Sequence, residues 1–365
     1  MHAGGGRRSP AGHADVAVEL VIPRPGGFNC GMLKRILVIV VAVLIVLAVV
    51  GLLLPRTTRV SRSITIARPA SLVYATVNSF QLFPQWSPWQ NLDPNVHQTT
   101  AGPRDGVGAK LVWSGNDKVG SGSQVITAST LNQSVASDID FGKMGVAKSA
   151  VLMVPDGPST RVTWTLDVDL GASPISRYFG LMMDHMIGKD YELGLSRLKA
   201  LVESMPSVDI TGFVAEPVEL KAMPILVVAE TSQPDTASIS KAYADGYGKI
   251  GKFMAKTKLY QSGAPLGIDG EMTSTAFAFQ AGMPVDRGDV TGDGSVRMVQ
   301  SYAGKALKTT HVGPYDTLTR TYETFRAYMA AHAYTAADTA ISWYIDDPGT
   351  TPPEKLRTEI YVPIR

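Results

Sequence analysis

The apolar and polar residues of this chain change rhythm along its length, and each rhythm predicts a different kind of element. The first is an unbroken apolar run, Ile36 to Leu54, reading ILVIVVAVLIVLAVVGLLL. At a helical rise of about 1.5 Å per residue it is roughly 28 Å long, close to the hydrocarbon thickness of a bilayer. No charge interrupts it, so each central Leu, Ile or Val favours insertion by about 0.3–0.6 kcal/mol. A transmembrane helix over 36–54 is the expectation. No A-x-A site follows, and Leu52 to Leu54 carry the run past the only small candidate, Gly51. An uncleaved anchor is therefore expected rather than a removed signal. Met1 to Gly31 is rich in Gly, Pro and Arg without periodicity, which predicts disorder. Residues 1–35 are read as a disordered segment ending in a basic n-region, Met32-Leu33-Lys34-Arg35, where a shorter chain would also begin. Lys34 and Arg35 lie before the helix and Arg56, Arg59 and Arg62 after it, so charge does not settle its orientation. The layout of a short N-terminus before a large body places the folded part outside the cytoplasm, in a bacterial inner membrane.

A period of two follows. Val60, Arg62, Ile64 and Ile66 alternate with Ser61, Ser63 and Thr65 in a first strand. Pro69 opens a short helix, PASLVYATVNSF. Further strands are expected at 109–113, 121–129, 134–141, 148–154 and 161–170. In the last, Val162, Trp164, Leu166 and Val168 share one face. Ile175 to Glu203 reads as a long closing helix. Residues 59–205 thus form one α+β domain, and Pro206 to Gly212 is its junction with a second, 213–365.

The second domain repeats itself. The helical positions Ile239, Tyr243, Gly246 and Ile250 match Leu318, Tyr322, Phe325 and Met329 at a constant offset, 318 − 239 = 79. Strand-like residues precede each helix, Val214–Glu230 and Arg297–His311, and two strands follow each, which predicts a duplicated strand–helix–two-strand unit. In the last strand, Arg357–Ile364, alternation puts Glu359 and Tyr361 on one face and Ile360, Val362 and Ile364 on the other. A carboxylate in an otherwise apolar strand requires compensation or solvent. Matching Thr275 to Thr358 sets Ala276 where the second copy has Glu359, near Phe277 and Phe279. Between the copies, Asp289, Thr291, Asp293 and Gly294 form half of a calcium loop, but Thr291 and Gln300 replace the ligands at positions three and twelve. A turn is the better reading.

Composition narrows the function. The 365 residues are 45% hydrophobic with a net charge of +2, enough for two ordinary domains and without a long basic run in the folded part, so nucleic acid is not an expected partner. The single cysteine, Cys30, excludes an intrachain disulfide and a cysteine-based zinc cluster. The six histidines show no metal-ligand spacing, so no metal or other cofactor is expected.

Two resemblances add to this. RSITIARPASLVYATVNSFQLFPQWSPW and YELGLSRLKALVE, at the two ends of the first domain, resemble the START-like polyketide-cyclase (SRPBCC) superfamily. That implies a helix-grip fold, an antiparallel sheet around a long helix, and a cavity for apolar molecules that Trp86, Trp89, Trp113 and Met183 would line, unless they simply fill the core. The GPYDTL helix, the SWYIDDP strand and the closing RTEIYVPI strand together resemble the GyrI-like effector-binding domain. The resemblance implies a pocket between the two repeats that takes cationic or aromatic ligands, with the pocket glutamate at Glu359 and ligand contacts from Tyr361, Trp343, Tyr315 and Phe277. The expected function is that of a membrane-anchored binder of apolar or cationic aromatic molecules, which senses, sequesters or transfers them. The alternatives are a hydrolase or cyclase using Glu359 as general base, and a scaffold for protein partners.

Overall fold

The computed structural model describes residues 30–142 and 145–365. The segment 1–29, expected to be disordered, lies outside them. Helix α1 runs Cys30–Leu53, and Gly31–Leu53 is long and apolar enough to cross a membrane, its most apolar 18 residues having a mean hydropathy of 3.6. It starts before the apolar run. Met32 to Arg35, expected to belong to a disordered n-region, are its first turns, because no helix breaker separates them from Ile36. It stops before Pro55, which disfavours helical backbone at the residue preceding it.

The first domain comprises β1 (Thr57–Ile66), α2 (Ala70–Val77), the short α3 (Phe83–Trp86), β2 (His97–Ala101), β3 (Lys110–Ser114), β4 (Ser121–Thr130), β5 (Ser134–Asp140), β6 (Val146–Asp156), β7 (Ser159–Asp169) and α4 (Pro174–Glu203). The strands form one antiparallel sheet in the order β1-β7-β6-β5-β4-β3-β2. β2, reading HQTTA, has no apolar alternation and escapes sequence patterning because it is a polar edge strand. Pro174 opens α4 at its first position, and the Ser173 hydroxyl accepts from the Ser176 N–H. α4 then follows β1: Thr58 bonds Gly180, Arg62 reaches Asp184 and Glu192, and Glu203 accepts from the Ala67 N–H. Its later turns bury Tyr191, Leu195, Leu198 and Val202 against the sheet. Gly194 permits this approach, since a Cβ there would stand 2.7 Å from the Trp164 ring.

The second domain comprises β8 (Glu216–Leu220), β9 (Pro224–Ser232), α5 (Thr236–Thr257), β10 (Leu266–Met272), β11 (Phe277–Pro284), β12 (Val296–Gln300), β13 (Gly304–Val312), α6 (Leu318–Ala331), β14 (Ile341–Tyr344) and β15 (Arg357–Pro363). Each strand expected ahead of a helix is in fact two strands, the extra ones, β8 and β12, forming the edges of an eight-stranded sheet, β12-β9-β11-β10-β14-β15-β13-β8. The two copies, β9-α5-β10-β11 and β13-α6-β14-β15, meet at β10 and β14, where Gly267 pairs with Ser342. Gly267 pairs with Ala281 and Ser342 with Ile360, so the copies superpose Ala281 on Ile360 and Gln280 on Glu359. The counterpart of Glu359 is therefore Gln280 rather than Ala276, and the closing strands keep the 79-residue offset of the helices, 359 − 280 = 79. The Asp289–Asp293 loop is a turn whose acids pair with Arg287 and Lys256.

α6 joins the domains. Ala327 and Ala331 are buried in the first domain's core, and the Arg104 guanidinium donates to the carbonyls of His332 and Ala333 past the end of α6.

Candidate functional site

Helices α5 and α6 lie on the same face of the second sheet and leave between them a cavity of about 1240 Å³. Its floor is the meeting of the two copies. Strand alternation turns Asp269 of β10 and Ser342 and Tyr344 of β14 up into it. Gly267, on the same face, leaves room for an aromatic ring. A Cβ there would stand 2.1 Å from the Tyr243 hydroxyl, so any other residue would displace that ring.

The walls come from equivalent helix positions. Ile239 and Tyr243 of α5 face Leu318 and Tyr322 of α6 across the cavity. The Tyr243 ring packs 4.1 Å from Phe279 and edge-on to Tyr344 at 5.6 Å, and Tyr315 meets Tyr344 edge-on at 5.5 Å. The Tyr322 hydroxyl bonds Ser342 Oγ at 2.5 Å, and the Tyr247 hydroxyl donates to the Leu266 carbonyl at 3.0 Å. Burial raises the pKa of Tyr243, Tyr247, Tyr315, Tyr322 and Tyr344, so all are neutral phenols near pH 7.

Asp269 is the carboxylate at the floor of this cavity. Burial pushes its pKa up to about 6, against the Tyr322 hydroxyl and the positive charge of Arg326, which favour the ionised form. Asp338, Asp346 and Asp347 also line the cavity, against one lining cation, Arg326. Asp346 is held by Arg357 at 2.8 Å, a bond that keeps its pKa low. Aromatic faces with a partly desolvated carboxylate beneath them form an environment for a flat cation.

Of the residues expected to bind ligand, Tyr315 and Phe277 line this cavity. Glu359, Tyr361 and Trp343 do not. β15 turns Ile360 toward α6, where it packs with Leu307, Phe325 and Met329. Period two then sends Glu359 and Tyr361 to the opposite face, beside Trp343, which pairs with Glu359 across the strands. There Tyr361 donates to Glu359 at 2.6 Å and Lys308 pairs with it at 2.8 Å. Burial alone would raise the Glu359 pKa, but bonds from Lys308 and Tyr361 outweigh it and lower it. The carboxylate is compensated where it stands. Asp269 was missed by sequence reasoning. Its signal is an aspartate in the short strand LGIDGEM, two residues after Gly267 and so on the same face.

The family described as GyrI-like small molecule binding domain matches residues 216–365, and that described as polyketide cyclase / dehydrase and lipid transport matches 57–203. The chain is a polyketide cyclase/dehydrase-like domain followed by a GyrI-like domain. Among solved structures, it is similar to EcmrR in a DNA complex (18% identity, covering 52% of this chain and 72% of that one, TM-score 0.39). It is also similar to a hydrolase from Listeria innocua (17%, 41% and 91%, 0.32) and to major latex-like protein 151 from Panax ginseng (15%, 40% and 97%, 0.30). No curated protein matches the chain.

In the cyclase/dehydrase-like domain, the residues expected around a cavity pack on one another. Trp86 and Trp89 lie edge-on to Trp164 at 5.2 and 6.0 Å, and Trp164 stacks on Tyr191 at 3.8 Å. The Trp89 indole N–H donates to Asp190 at 3.1 Å. Trp113 pairs with Phe141, and Met183 packs against the same core. Trp86, Trp89 and Trp164 pack with Tyr191 beneath α4, while Trp113 lies on β3 against Phe141.

Proposed function

We propose that the chain is a membrane-anchored binder of small apolar or cationic aromatic molecules, and that its site is the cavity between α5 and α6. The observation that carries this reading is Asp269, a half-buried carboxylate beneath the rings of Tyr243, Tyr322 and Tyr344. A cation in this site restores to the carboxylate the compensation that burial removes, and the rings hold its flat faces. The anchor is α1, with the folded domains of about 59–205 and 213–365 outside the cytoplasm of a bacterial inner membrane. Nucleic acid has no part in the reading, because the folded chain lacks a basic run.

The test is calorimetry on the detergent-solubilised full chain with N-methylquinolinium and its neutral isostere 1-methylnaphthalene. Asp269→Asn is expected to weaken the cation by about 1.5–3 kcal/mol, roughly 10- to 150-fold, and the neutral compound much less. Equal losses for both, or none for either, would overturn it.

One observation favours a second reading. A carboxyl titrating at about 6 is suited to proton transfer near neutral pH, which would make Asp269 the general base of a hydrolase or cyclase. On that reading the ligand is consumed, and Asp269→Asn abolishes turnover rather than affinity.

A further inference from the structure

α4 is two helices in character. From Gly188 onward one face is buried in the domain, while the turns before it bury no residue. Those turns nevertheless carry Ile175, Phe179, Met182 and Met186, which are 71%, 63%, 57% and 59% exposed. The spacing of four, three and four residues puts them within about 60° of one another around the helix, at about 100° per residue. Asp184 lies on the opposite side, held by Arg62 of β1 at 2.9 Å, so the apolar stripe points away from the sheet. A contiguous stripe of this size facing water is unfavourable, and such stripes mark interaction surfaces.

Its place in the fold says what covers it. The first turns of α4 are fastened to the end of α1: Tyr178 donates to the Leu47 carbonyl at 2.8 Å, and Arg177 to those of Leu52 and Leu54 at 2.6 and 3.1 Å. Leu47 lies six residues before the end of α1, about 9 Å into the span. Sheet register brings a further apolar residue to that end. Val168 pairs with both Thr58 and Ala147, which sets Val146, 67% exposed, level with the start of β1 on the far side of β7. Of the basic residues at this end, Arg56 and Arg59 are tied to Asp169 and Asp167, and Arg177 to the carbonyls closing α1, which leaves the apolar side chains as its distinctive surface.

We propose that Ile175, Phe179 and Met182, with Val146, form a lipid-facing collar that lies at the boundary of headgroups and acyl chains in the bilayer crossed by α1. The bilayer is the occupant. The collar holds the cyclase/dehydrase-like domain down on the membrane instead of letting it swing on the short Leu54–Arg56 link. This rests on α1 as an anchor and is independent of the cavity.

The test uses the full-length chain with Cys30→Ser and single cysteines at Phe179, Met182, Leu44 of α1 or Ser274, an exposed turn residue of the GyrI-like domain. Each is labelled with a nitrobenzoxadiazole fluorophore in phosphatidylcholine vesicles containing lipids with a nitroxide on the headgroup or at mid-chain. Labels at Phe179 and Met182 are expected to lose roughly twofold or more of their emission to the shallow nitroxide, as interfacial depth requires. Leu44 should respond to the deep nitroxide and Ser274 to neither. If Phe179 and Met182 behave like Ser274 while Leu44 is quenched, the collar is wrong and the anchor stands. If Leu44 is not quenched, both fall. Disulfide-linked dimers through Phe179→Cys would show a second copy covering the stripe and overturn the collar.

Discussion

In the cyclase/dehydrase-like domain one long helix runs along β1, and beneath it Trp86 and Trp89 pack on Trp164, which stacks on the helix's own Tyr191. In the GyrI-like domain two helices stand apart on a sheet whose central strands present Gly267 and Ser342, and about 1240 Å³ between them is open. Both domains are antiparallel sheets roofed by amphipathic helices. The difference lies in where the small residues are. Gly194 sits on the first domain's helix, so the helix sinks onto the indole. In the second domain the small residues Gly267 and Ser342 are on the sheet, where Tyr243 and Tyr322 cover them from either helix. Close packing follows where a small surface meets a large one, and the cavity remains between the two rows of large helix side chains, where neither helix covers the sheet.

The largest expected effect is on that contrast. Trp164→Ala should destabilise the protein by about 3–5 kcal/mol, the range for removing a buried aromatic residue. Tyr344→Ala should cost less than half as much, since part of that ring already faces open cavity. Denaturant melts of the two variants measure this, and equal losses would mean that the cavity is filled as tightly as the first core.

Next is Asp269. Its folded-state pKa is about 6, raised from 3.8 by burial, so the folded state holds the proton more tightly than the unfolded one. The contribution to stability is full below about pH 4 and is lost as pH rises through about 6. At pH 7 the ionised carboxylate costs up to about 3 kcal/mol, on the basis of about 1.4 kcal/mol per pH unit. Asp269→Asn should raise the melting temperature at pH 7 and flatten the pH dependence of stability between 4 and 6. A lower melting temperature at pH 7 would show that the charge is already compensated without a ligand.

A binding measurement sharpens the same point. The affinity for N-methylquinolinium should fall about tenfold per pH unit below about 6, where the carboxyl is protonated, and level off above it. The affinity for 1-methylnaphthalene should not follow this profile.

The smallest effect is expected at Glu359. On the far face of the sheet, paired with Lys308 and partly exposed, its loss in Glu359→Gln should cost about 1 kcal/mol or less and leave ligand affinity unchanged. Its folded-state pKa is lowered, so its contribution is present above the ordinary carboxylate range and is lost as pH falls through the folded value. A tenfold or greater drop in affinity for the cation would return the site to Glu359.

Local pattern by itself determined much of this protein. An uncharged apolar run defines a helix of membrane length. A period of two places the strands of the first sheet, apart from the polar edge strand β2 and up to three residues at the ends. A constant offset identifies the duplicated unit and sets Tyr243 and Tyr322 at equivalent positions, which face the same cavity. These features depend on near neighbours along the chain. Tertiary structure alone decided which face of the second sheet the helices roof. Alternation says that Glu359 and Tyr361 share one face and Ile360 and Val362 the other, but both faces carry aromatic and aliphatic residues, so burial does not tell them apart. The choice is made by Phe325 and Met329 closing on Ile360 from α6 and by the pairing of Gly267 with Ser342, contacts between residues far apart in sequence. They put Asp269 under the tyrosines and Glu359 against Lys308. Two carboxylates from similar-looking strands thereby acquire opposite pKa shifts, because one loses water without gaining a close cation and the other gains a lysine as it loses water.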